Sequence, residues 1–220
     1  VYATAMRDKS SQTSCTQYTR LLYDALNIEK ESIDIQKNRE SHPTFYHDLN
    51  NSVENSLFFA EVCGKYDYVL DYGTSEHIFG YSNVIKNVLK MLKPGGLYIY
   101  RLPHSGWYDH CLYHFNPRVF HDIGNTQFFN HVHQFLATTS QDLKNNYLYS
   151  VRSSYCLHSD LIPVILEVWG VLQKTGSYTL DQINALDVQQ NEPSQDYENT
   201  MIQVSISDLD NYLNGIPSGP

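Results

Sequence analysis

The chain has 220 residues, a hydrophobic fraction of 41% and a formal net charge of -9. This length is sufficient for one domain with a sizeable core. The acidic balance argues against binding to a nucleic-acid backbone, which requires clustered Lys and Arg. No apolar run approaches the roughly 20 residues needed to span a bilayer, so a membrane protein is not expected.

The four cysteines indicate a reducing compartment. Cys15, Cys63, Cys111 and Cys156 lie far apart and form no Cys-x-x-Cys pair. Neither a disulfide framework nor a cysteine-based zinc site is therefore expected. The chain begins at Val1 without a charged leader and an apolar segment, so we predict no secretory signal and a cytoplasmic location.

The first quarter of the chain alternates short apolar runs with helical patterns. Residues 1–6 predict a strand, and a helix follows whose apolar positions between residues 18 and 26 share one face. Residues 32–35 and 44–46 predict the second and third strands, and residues 53–62 predict a short helix. This alternation is typical of a doubly wound α/β fold.

The most informative stretch lies between residues 65 and 103. An apolar run at 66–70 is followed by the polar segment 71–77, and apolar residues at helical spacing occupy 84–92. A Lys-Pro-Gly-Gly turn at 93–96 then precedes a second apolar run at 97–102. Strand, crossover helix and strand predict a parallel βαβ unit, whose ligands bind beyond the carboxyl ends of the strands.

The second half of the chain contains two further predicted strands. A loop rich in His, Tyr and Trp follows Pro103, and residues 117–123 predict a short helix. Residues 128–136 and 163–173 are strand-like. We predict one α/β domain over residues 1–178, with an insertion at about 137–162, and a polar tail over 179–220 with at most one short helix near 206–213.

The order of these motifs resembles a class I S-adenosylmethionine-dependent methyltransferase. The resemblance rests on Asp71 at a strand end, Glu76-His77, the helix, Lys93-Pro94-Gly95-Gly96 and the next strand. The segment His110-Cys111-Leu112-Tyr113-His114-Phe115-Asn116-Pro117 is similar to a His-x-x-Tyr-x-Phe-x-Pro motif of some members. The resemblance covers about residues 32–129. It implies a mostly parallel, Rossmann-like sheet of about seven strands whose last two strands are an antiparallel pair.

The resemblance also implies a set of cofactor-binding residues for S-adenosylmethionine. Asp34 would accept hydrogen bonds from the ribose hydroxyls, and Asp48 and Leu49 would lie near the adenine. Asp71, with Tyr72 and Gly73, would lie beside the sulfonium. From the residues alone, Asp34 could equally be a helix or turn cap, and Asp48 could form an ordinary Asx turn.

The first turn departs from the family pattern. Residues 6–13 contain no glycine, although such turns normally use glycine to bring the backbone close to a ligand. Two explanations remain open. Arg7, or its neighbour Lys9, meets the cofactor carboxylate with its charge, or the pocket is degenerate and the domain only binds a partner.

Several histidines and aromatic residues follow the predicted fourth and fifth strands. His77, His104 and His110 are candidate catalytic bases, because imidazole titrates near neutrality. A pocket for the methyl acceptor could be formed by Trp107, Tyr108, Tyr113 and His114. The alternatives are hydrogen-bonding loop residues and a hydrophobic lid. His104, His110 and His114 with Asp109 form a weak metal pattern, so no metal is expected.

The leading hypothesis is therefore a methyltransferase acting on a small molecule or glycan precursor, most plausibly at oxygen. The alternative is a non-catalytic Rossmann-like binding or assembly module. A protein partner that binds the polar tail and a homo-oligomer are compatible with either reading. A nucleotide-dependent enzyme is disfavoured, because it would need a glycine-rich phosphate loop.

Overall fold

The computed structural model describes residues 26–35, 44–138, 147–150, 165–189 and 202–205. Short 3₁₀ turns occupy Val53–Asn55 and Ser75–His77. No helix in these ranges is long and apolar enough to cross a membrane. The strands and helices are, in chain order, β1 (Ser32–Asp34), β2 (Thr44–Tyr46), α1 (Phe59–Val62), β3 (Tyr66–Tyr72), α2 (Tyr81–Met91), β4 (Leu92–Ser105), α3 (Pro117–Gly124), β5 (Phe129–Thr138), β6 (Tyr147–Ser150), β7 (Leu166–Lys174), α4 (Leu180–Asn184) and β8 (Ile202–Ser205).

The strands form two sheets within the described residues. β1 and β2 are a parallel pair, and the larger sheet has the order β3-β4-β7-β5-β6-β8. β3 and β4 are parallel, as the βαβ pattern predicted, and β5 pairs with β7 antiparallel, also as predicted. The expectation of a mostly parallel sheet is wrong here, because β7 returns antiparallel between β4 and β5, and β6 and β8 extend that antiparallel side.

α2 connects the two parallel strands and covers the core. Its buried residues recur at helical spacing, as the sequence predicted, and include Val84, Val88 and Leu89. The buried ammonium of Lys174 in β7 donates hydrogen bonds to the carbonyls of Leu89 and Leu92, at 2.8 and 2.7 Å. These carbonyls end the helix and have no helical donor, so a lysine of the neighbouring sheet caps α2.

The Lys-Pro-Gly-Gly segment does not precede the strand but lies inside it. β4 begins at Leu92, which pairs with Tyr66, whereas Tyr68 pairs with Leu97. The additional residues on β4 form a bulge, in which Gly95 has a φ of +78°. β4 also extends past residue 102 to Ser105, so His104 lies on the strand and not on the following loop.

The tyrosines of β4 form the centre of the core. Tyr98, Tyr100 and Leu102 alternate along the strand and are almost fully buried. The ring of Tyr100 stacks on Phe120 of α3 with centroids 3.8 Å apart. Since α2 and α3 both pack on these residues, the two helices cover the same face of the larger sheet.

Part of the predicted polar tail belongs to the fold. Thr179 and Gln182 form a capping box at the start of α4, and Ile183 is buried. β8 pairs with β6. Local capping and two buried apolar residues, Ile183 and Leu186, thus stabilise a segment whose composition predicted a tail. The domain boundaries remain a prediction, and the first strand and helix, Arg7 and the helix near 206–213 lie outside the described residues.

Candidate functional site

The carboxyl ends of β1, β2 and β3 lie on one side of the molecule. β1 and β2 run in parallel, and the His47 amide donates to the Asp34 carbonyl at 3.0 Å. Beyond β2, Asn50 Oδ1 accepts a hydrogen bond from the Gly80 amide at 2.8 Å. Gly80 precedes α2, which starts near the carboxyl end of β3. The strand-end residues predicted to bind a cofactor are therefore brought to one edge.

Asp71 supports the turn that follows β3. Its carboxylate is buried and accepts hydrogen bonds from the Ser75 amide at 3.2 Å, the Thr74 amide at 3.3 Å and Tyr98 Oη at 2.8 Å. The Ser75 hydroxyl also donates to it. Burial raises the pKa of Asp71, although these donors lower it. These contacts occupy both oxygens and fix the backbone of the 75–77 turn.

Asp48 and Leu49 also have local roles. Asp48 Oδ1 accepts hydrogen bonds from the amide and the side chain of Asn50, at 2.9 and 2.8 Å, which is the Asx turn left open as an alternative. Leu49 is 5% exposed, and its side chain belongs to the core. Contacts of this pair with an adenine stay predictions.

Gly73 occupies a position that excludes a side chain. Its φ is +79°, its amide donates to the Arg101 carbonyl at 3.1 Å, and a Cβ would lie 3.2 Å from Glu76 Oε1. Tyr72 lies on the opposite face of β3 from Asp71, with its ring centroid 6.5 Å from that of Trp169. The glycine thus leaves space for the carboxylate of Glu76.

Glu76 is the residue that sequence reasoning undervalued. It is 2% exposed, and its Oε2 has no hydrogen-bond partner among the described residues. Burial raises the pKa of Glu76 to about 7. Glu76 lies in the 75–77 turn and not in the following helix, because α2 begins only at Tyr81. The sequence signal for this position is the Glu76-His77 pair after a predicted strand, but the sequence does not show that the Glu76 side chain is buried.

His77 and His110 lie beside this carboxylate. His77 Nε2 is 3.7 Å from Glu76 Oε1, and the two imidazole rings have centroids 5.2 Å apart. Burial lowers the pKa of His77, and the proximity of His110 lowers it further. One ligand atom from each of the three residues lies within 4.8 Å of the others. The structure therefore places His77 and His110, two of the predicted catalytic histidines, next to the buried carboxylate of Glu76.

His104 is held by the loop that follows its strand. Its Nδ1 lies 2.8 Å from the Phe115 carbonyl. A carbonyl accepts only, so Nδ1 carries the proton in this contact, and Nε2 of the neutral ring then has a free lone pair. Burial lowers the pKa of His104, which favours this neutral form near pH 7.

The predicted acceptor residues hold the loop at 106–116 in place. Trp107 Nε1 donates to the Leu166 carbonyl at 3.2 Å, and Tyr113 Oη donates to the Phe79 carbonyl at 2.7 Å. His114 Nε2 lies 3.0 Å from the Trp107 carbonyl. Tyr108 is 82% exposed. These residues are assembled at the predicted edge, with most of their polar atoms used within the protein.

No protein-family model matches the sequence, and no curated protein sequence is significantly similar to it. Among solved structures, similarity is found to methyltransferases. A Burkholderia thailandensis 1,6-didemethyltoxoflavin-N1-methyltransferase with bound S-adenosylhomocysteine is 11% identical, with a TM-score of 0.45, over 71% of this chain and 65% of that protein. A Methanosarcina mazei S-adenosylmethionine-dependent methyltransferase is 15% identical, with a TM-score of 0.37, over 72% of this chain and 87% of that one.

A third similar structure is the complex of the Haloferax volcanii Trm112 methyltransferase activator with a protein described there as a methyltransferase. It is 12% identical, with a TM-score of 0.40, over 72% of this chain and 79% of that chain. Such low identities and TM-scores assign neither an activity nor a substrate to this chain. Its function has to be inferred from its own residues.

Proposed function

We propose that this protein is an S-adenosylmethionine-dependent methyltransferase that transfers the methyl group to a hydroxyl oxygen of a small molecule or glycan precursor. The observation that carries the proposal is the edge formed by the carboxyl ends of β1, β2 and β3. This edge contains the carboxylate of Asp34 at the end of β1, the turn at Gly73 and the imidazole of His104 at the end of β4. The Nε2 atom of His104 has no hydrogen-bond partner among the described residues.

Two described positions fit the cofactor. Asp34 ends β1 and is only partly buried. A carboxylate there suits two adjacent ribose hydroxyls, because its oxygens accept both hydrogen bonds. Gly73 has a left-handed backbone, which allows a tight turn directly after β3 at the edge where the cofactor would bind. When bound, S-adenosylmethionine would supply an electrophilic methyl group.

His104 is the proposed general base. With the cofactor bound, Nε2 of His104 would take the hydroxyl proton as the acceptor oxygen bonds to the methyl carbon and the bond from that carbon to the cofactor sulfur breaks, which leaves S-adenosylhomocysteine. The Phe115 carbonyl keeps Nδ1 protonated and stabilises the resulting imidazolium. The 106–116 loop would cover the acceptor, and its residues Trp107, Tyr108, Tyr113 and His114 would line the acceptor side of the pocket.

Calorimetry with S-adenosylmethionine and S-adenosylhomocysteine tests the cofactor. We expect micromolar binding by the wild type and a loss of about 1 to 3 kcal/mol for Asp34→Asn, since charge-assisted hydrogen bonds to the ribose are removed. Asp67→Asn is the matched control, because Asp67 lies near the opposite end of β3 and pairs with Lys93. An absence of binding at millimolar ligand would overturn the proposal.

A second candidate function is supported by a separate observation. Asp48, Leu49 and Asp71 are engaged in a turn, the core and a buried hydrogen-bond network, respectively. A non-catalytic binding or assembly module would retain such structural roles without a cofactor. It predicts a folded protein that does not bind S-adenosylmethionine but forms a stable complex with a protein partner or with a second copy of itself. Calorimetry distinguishes the two candidates.

A further inference from the structure

The side-chain cluster of Glu76, His77 and His110 has a chemistry that methyl transfer does not use. Two imidazoles and one carboxylate are the ligands of many transition-metal sites. The three ligand atoms are already within 4.8 Å of one another, although His110 is 33 positions beyond His77 in the sequence. We propose that these residues form a binding site for one divalent transition-metal ion of the Zn²⁺ type.

The burial of the Glu76 carboxylate supports a bound cation at this cluster. Glu76 is 2% exposed and its Oε2 accepts no hydrogen bond from the described residues. A carboxylate oxygen removed from water without a partner is costly, and a cation bound to Glu76 would offset that cost.

Only a small movement of these side chains would bring their ligand atoms to the distances of a metal site. In a tetrahedral zinc site with bonds of about 2.0 to 2.1 Å, neighbouring ligand atoms lie about 3.4 Å apart. Glu76 Oε1 and His77 Nε2 are 3.7 Å apart, close to this value. The exposed His110 would supply most of the remaining movement through its own side-chain rotation.

Backbone contacts hold the two loops together. The amides of Leu112 and Tyr113 donate to the Glu76 carbonyl at 2.9 and 3.1 Å. This contact places the segment containing His110 next to the 75–77 turn. Asp71 holds the 75–77 turn in place, because its carboxylate accepts a hydrogen bond from the Ser75 amide. The backbone segments that carry the ligands are therefore held by contacts outside the cluster, and only side-chain rotation is needed to complete the site.

The donor set predicts which metal binds. Imidazole nitrogens favour Zn²⁺ and related ions over Mg²⁺ and Ca²⁺, which prefer oxygen ligands. Three protein ligands leave the fourth tetrahedral position for water or for an oxygen of a small molecule. Asp109 does not belong to the cluster, so the site differs from the metal pattern considered from the sequence.

The test is a Zn²⁺ titration of the full chain without an affinity tag, in competition with a chromophoric chelator. We expect one equivalent of Zn²⁺ to bind, and at least tenfold weaker binding in Glu76→Gln and in His110→Ala. Co²⁺ should give the visible absorption of a site with fewer than six ligands, and millimolar Mg²⁺ should not displace it. His110 is exposed, so its variant should fold even where Glu76→Gln does not.

His121→Ala is the matched control. His121 and His131 form another imidazole pair, with ring centroids 5.6 Å apart. If Zn²⁺ binds to the proposed site, this variant keeps wild-type affinity. Absence of stoichiometric binding, equal affinity in all variants, or loss of binding only in His121→Ala would overturn the proposal. Because Zn²⁺ binding is measured without S-adenosylmethionine, its outcome is independent of the methyltransferase hypothesis.

Discussion

His104 is the single residue on which the proposed proton transfer depends. We expect His104→Ala to lower turnover about 100-fold while cofactor affinity stays within about twofold, as for loss of a general base. The measurement is transfer of labelled methyl from S-adenosylmethionine to a panel of hydroxyl acceptors, combined with calorimetry. His133→Ala, on β5, is the control and should retain turnover. Equal turnover of the two variants would exclude His104 as the base.

Lys174 shows how one buried cation stabilises a helix end. Its ammonium donates to the carbonyls of Leu89 and Leu92. We expect Lys174→Met to lower the free energy of unfolding by about 1.5 to 3 kcal/mol, because two charge-assisted hydrogen bonds are lost. Urea unfolding followed by circular dichroism measures the change.

Lys93→Met is the control variant for the effect of Lys174→Met on the free energy of unfolding. The ammonium of Lys93 pairs with Asp67, and both side chains are largely exposed. Exposed ion pairs contribute at most about 1 kcal/mol. A similar loss of stability in the two lysine variants would show that capping of α2 is not what Lys174 contributes.

At the scale of elements, β7 can lie between β4 and β5 only because residue 170 is a glycine. A Cβ there would lie 2.1 Å from Tyr100 Oη and 2.9 Å from the His133 carbonyl. Tyr100 cannot retreat freely, since its ring stacks on Phe120 and its hydroxyl donates to Gln134 at 3.0 Å.

We therefore expect Gly170→Ala to lower the free energy of unfolding by about 1 to 3 kcal/mol, as in an overpacked core. Gly176→Ala is the matched control, because the nearest atom to its Cβ would be 3.9 Å away. Chemical denaturation of both variants is the measurement. If Gly170→Ala is as stable as Gly176→Ala, the close approach of Tyr100 to β7 is not required for folding.

The contact between α2, α4 and the first 3₁₀ turn is electrostatic. The fully buried side chain of Lys90 donates to Ser52 Oγ, Glu54 Oε2 and Asn184 Oδ1 at 2.7, 2.8 and 2.7 Å. The hydrogen bond from Lys90 is the main cause that lowers the pKa of Glu54. The folded state thus binds a proton at Glu54 less readily than the unfolded state does.

This contribution has a defined dependence on pH. It is complete above the ordinary Glu pKa of about 4.3 and is lost as the pH falls through the lower folded-state pKa. Glu54→Gln should therefore be less stable than the wild type by about 1 kcal/mol at pH 7, and the difference should shrink below pH 4. Urea unfolding across this range is the measurement, with the exposed Glu61→Gln as control. A difference independent of pH would contradict the ionic contact.

At the scale of the whole molecule, β8 extends the larger sheet by one strand beyond β6. Four residues of β8 pair with β6, which lies more than fifty positions earlier in the chain. Ending the chain at residue 189 removes β8 and should lower the free energy of unfolding by about 1 to 3 kcal/mol, since four cross-strand pairs are lost. It should also increase light scattering, because β6 becomes an exposed edge.

A chain that ends at residue 210 retains β8 and is the control for this truncation. Chemical denaturation and light scattering compare the two chains. Equal stability and equal scattering would mean that β8 does not contribute to the fold.

Sequence periodicity by itself determined the local elements of the βαβ unit. Apolar residues at spacings of three and four predicted α2, and the flanking apolar runs predicted β3 and β4, because these patterns depend on neighbours along the chain. The antiparallel pairing of β5 with β7 was predicted by the family resemblance and not by periodicity. Composition mispredicted the start of the tail, since a capping box and the buried Ile183 and Leu186 stabilise a short helix there.

Only the tertiary structure decided what the strand-end residues contact. Asp71 and Glu76 both follow an apolar run in the sequence, yet Asp71 accepts a set of hydrogen bonds, whereas Glu76 has a buried oxygen that accepts none from the part of the chain that the structure describes. The Glu76, His77 and His110 cluster likewise depends on hydrogen bonds between two loops distant in sequence. Burial and partners are properties of packing between distant segments, and local sequence patterns do not contain them.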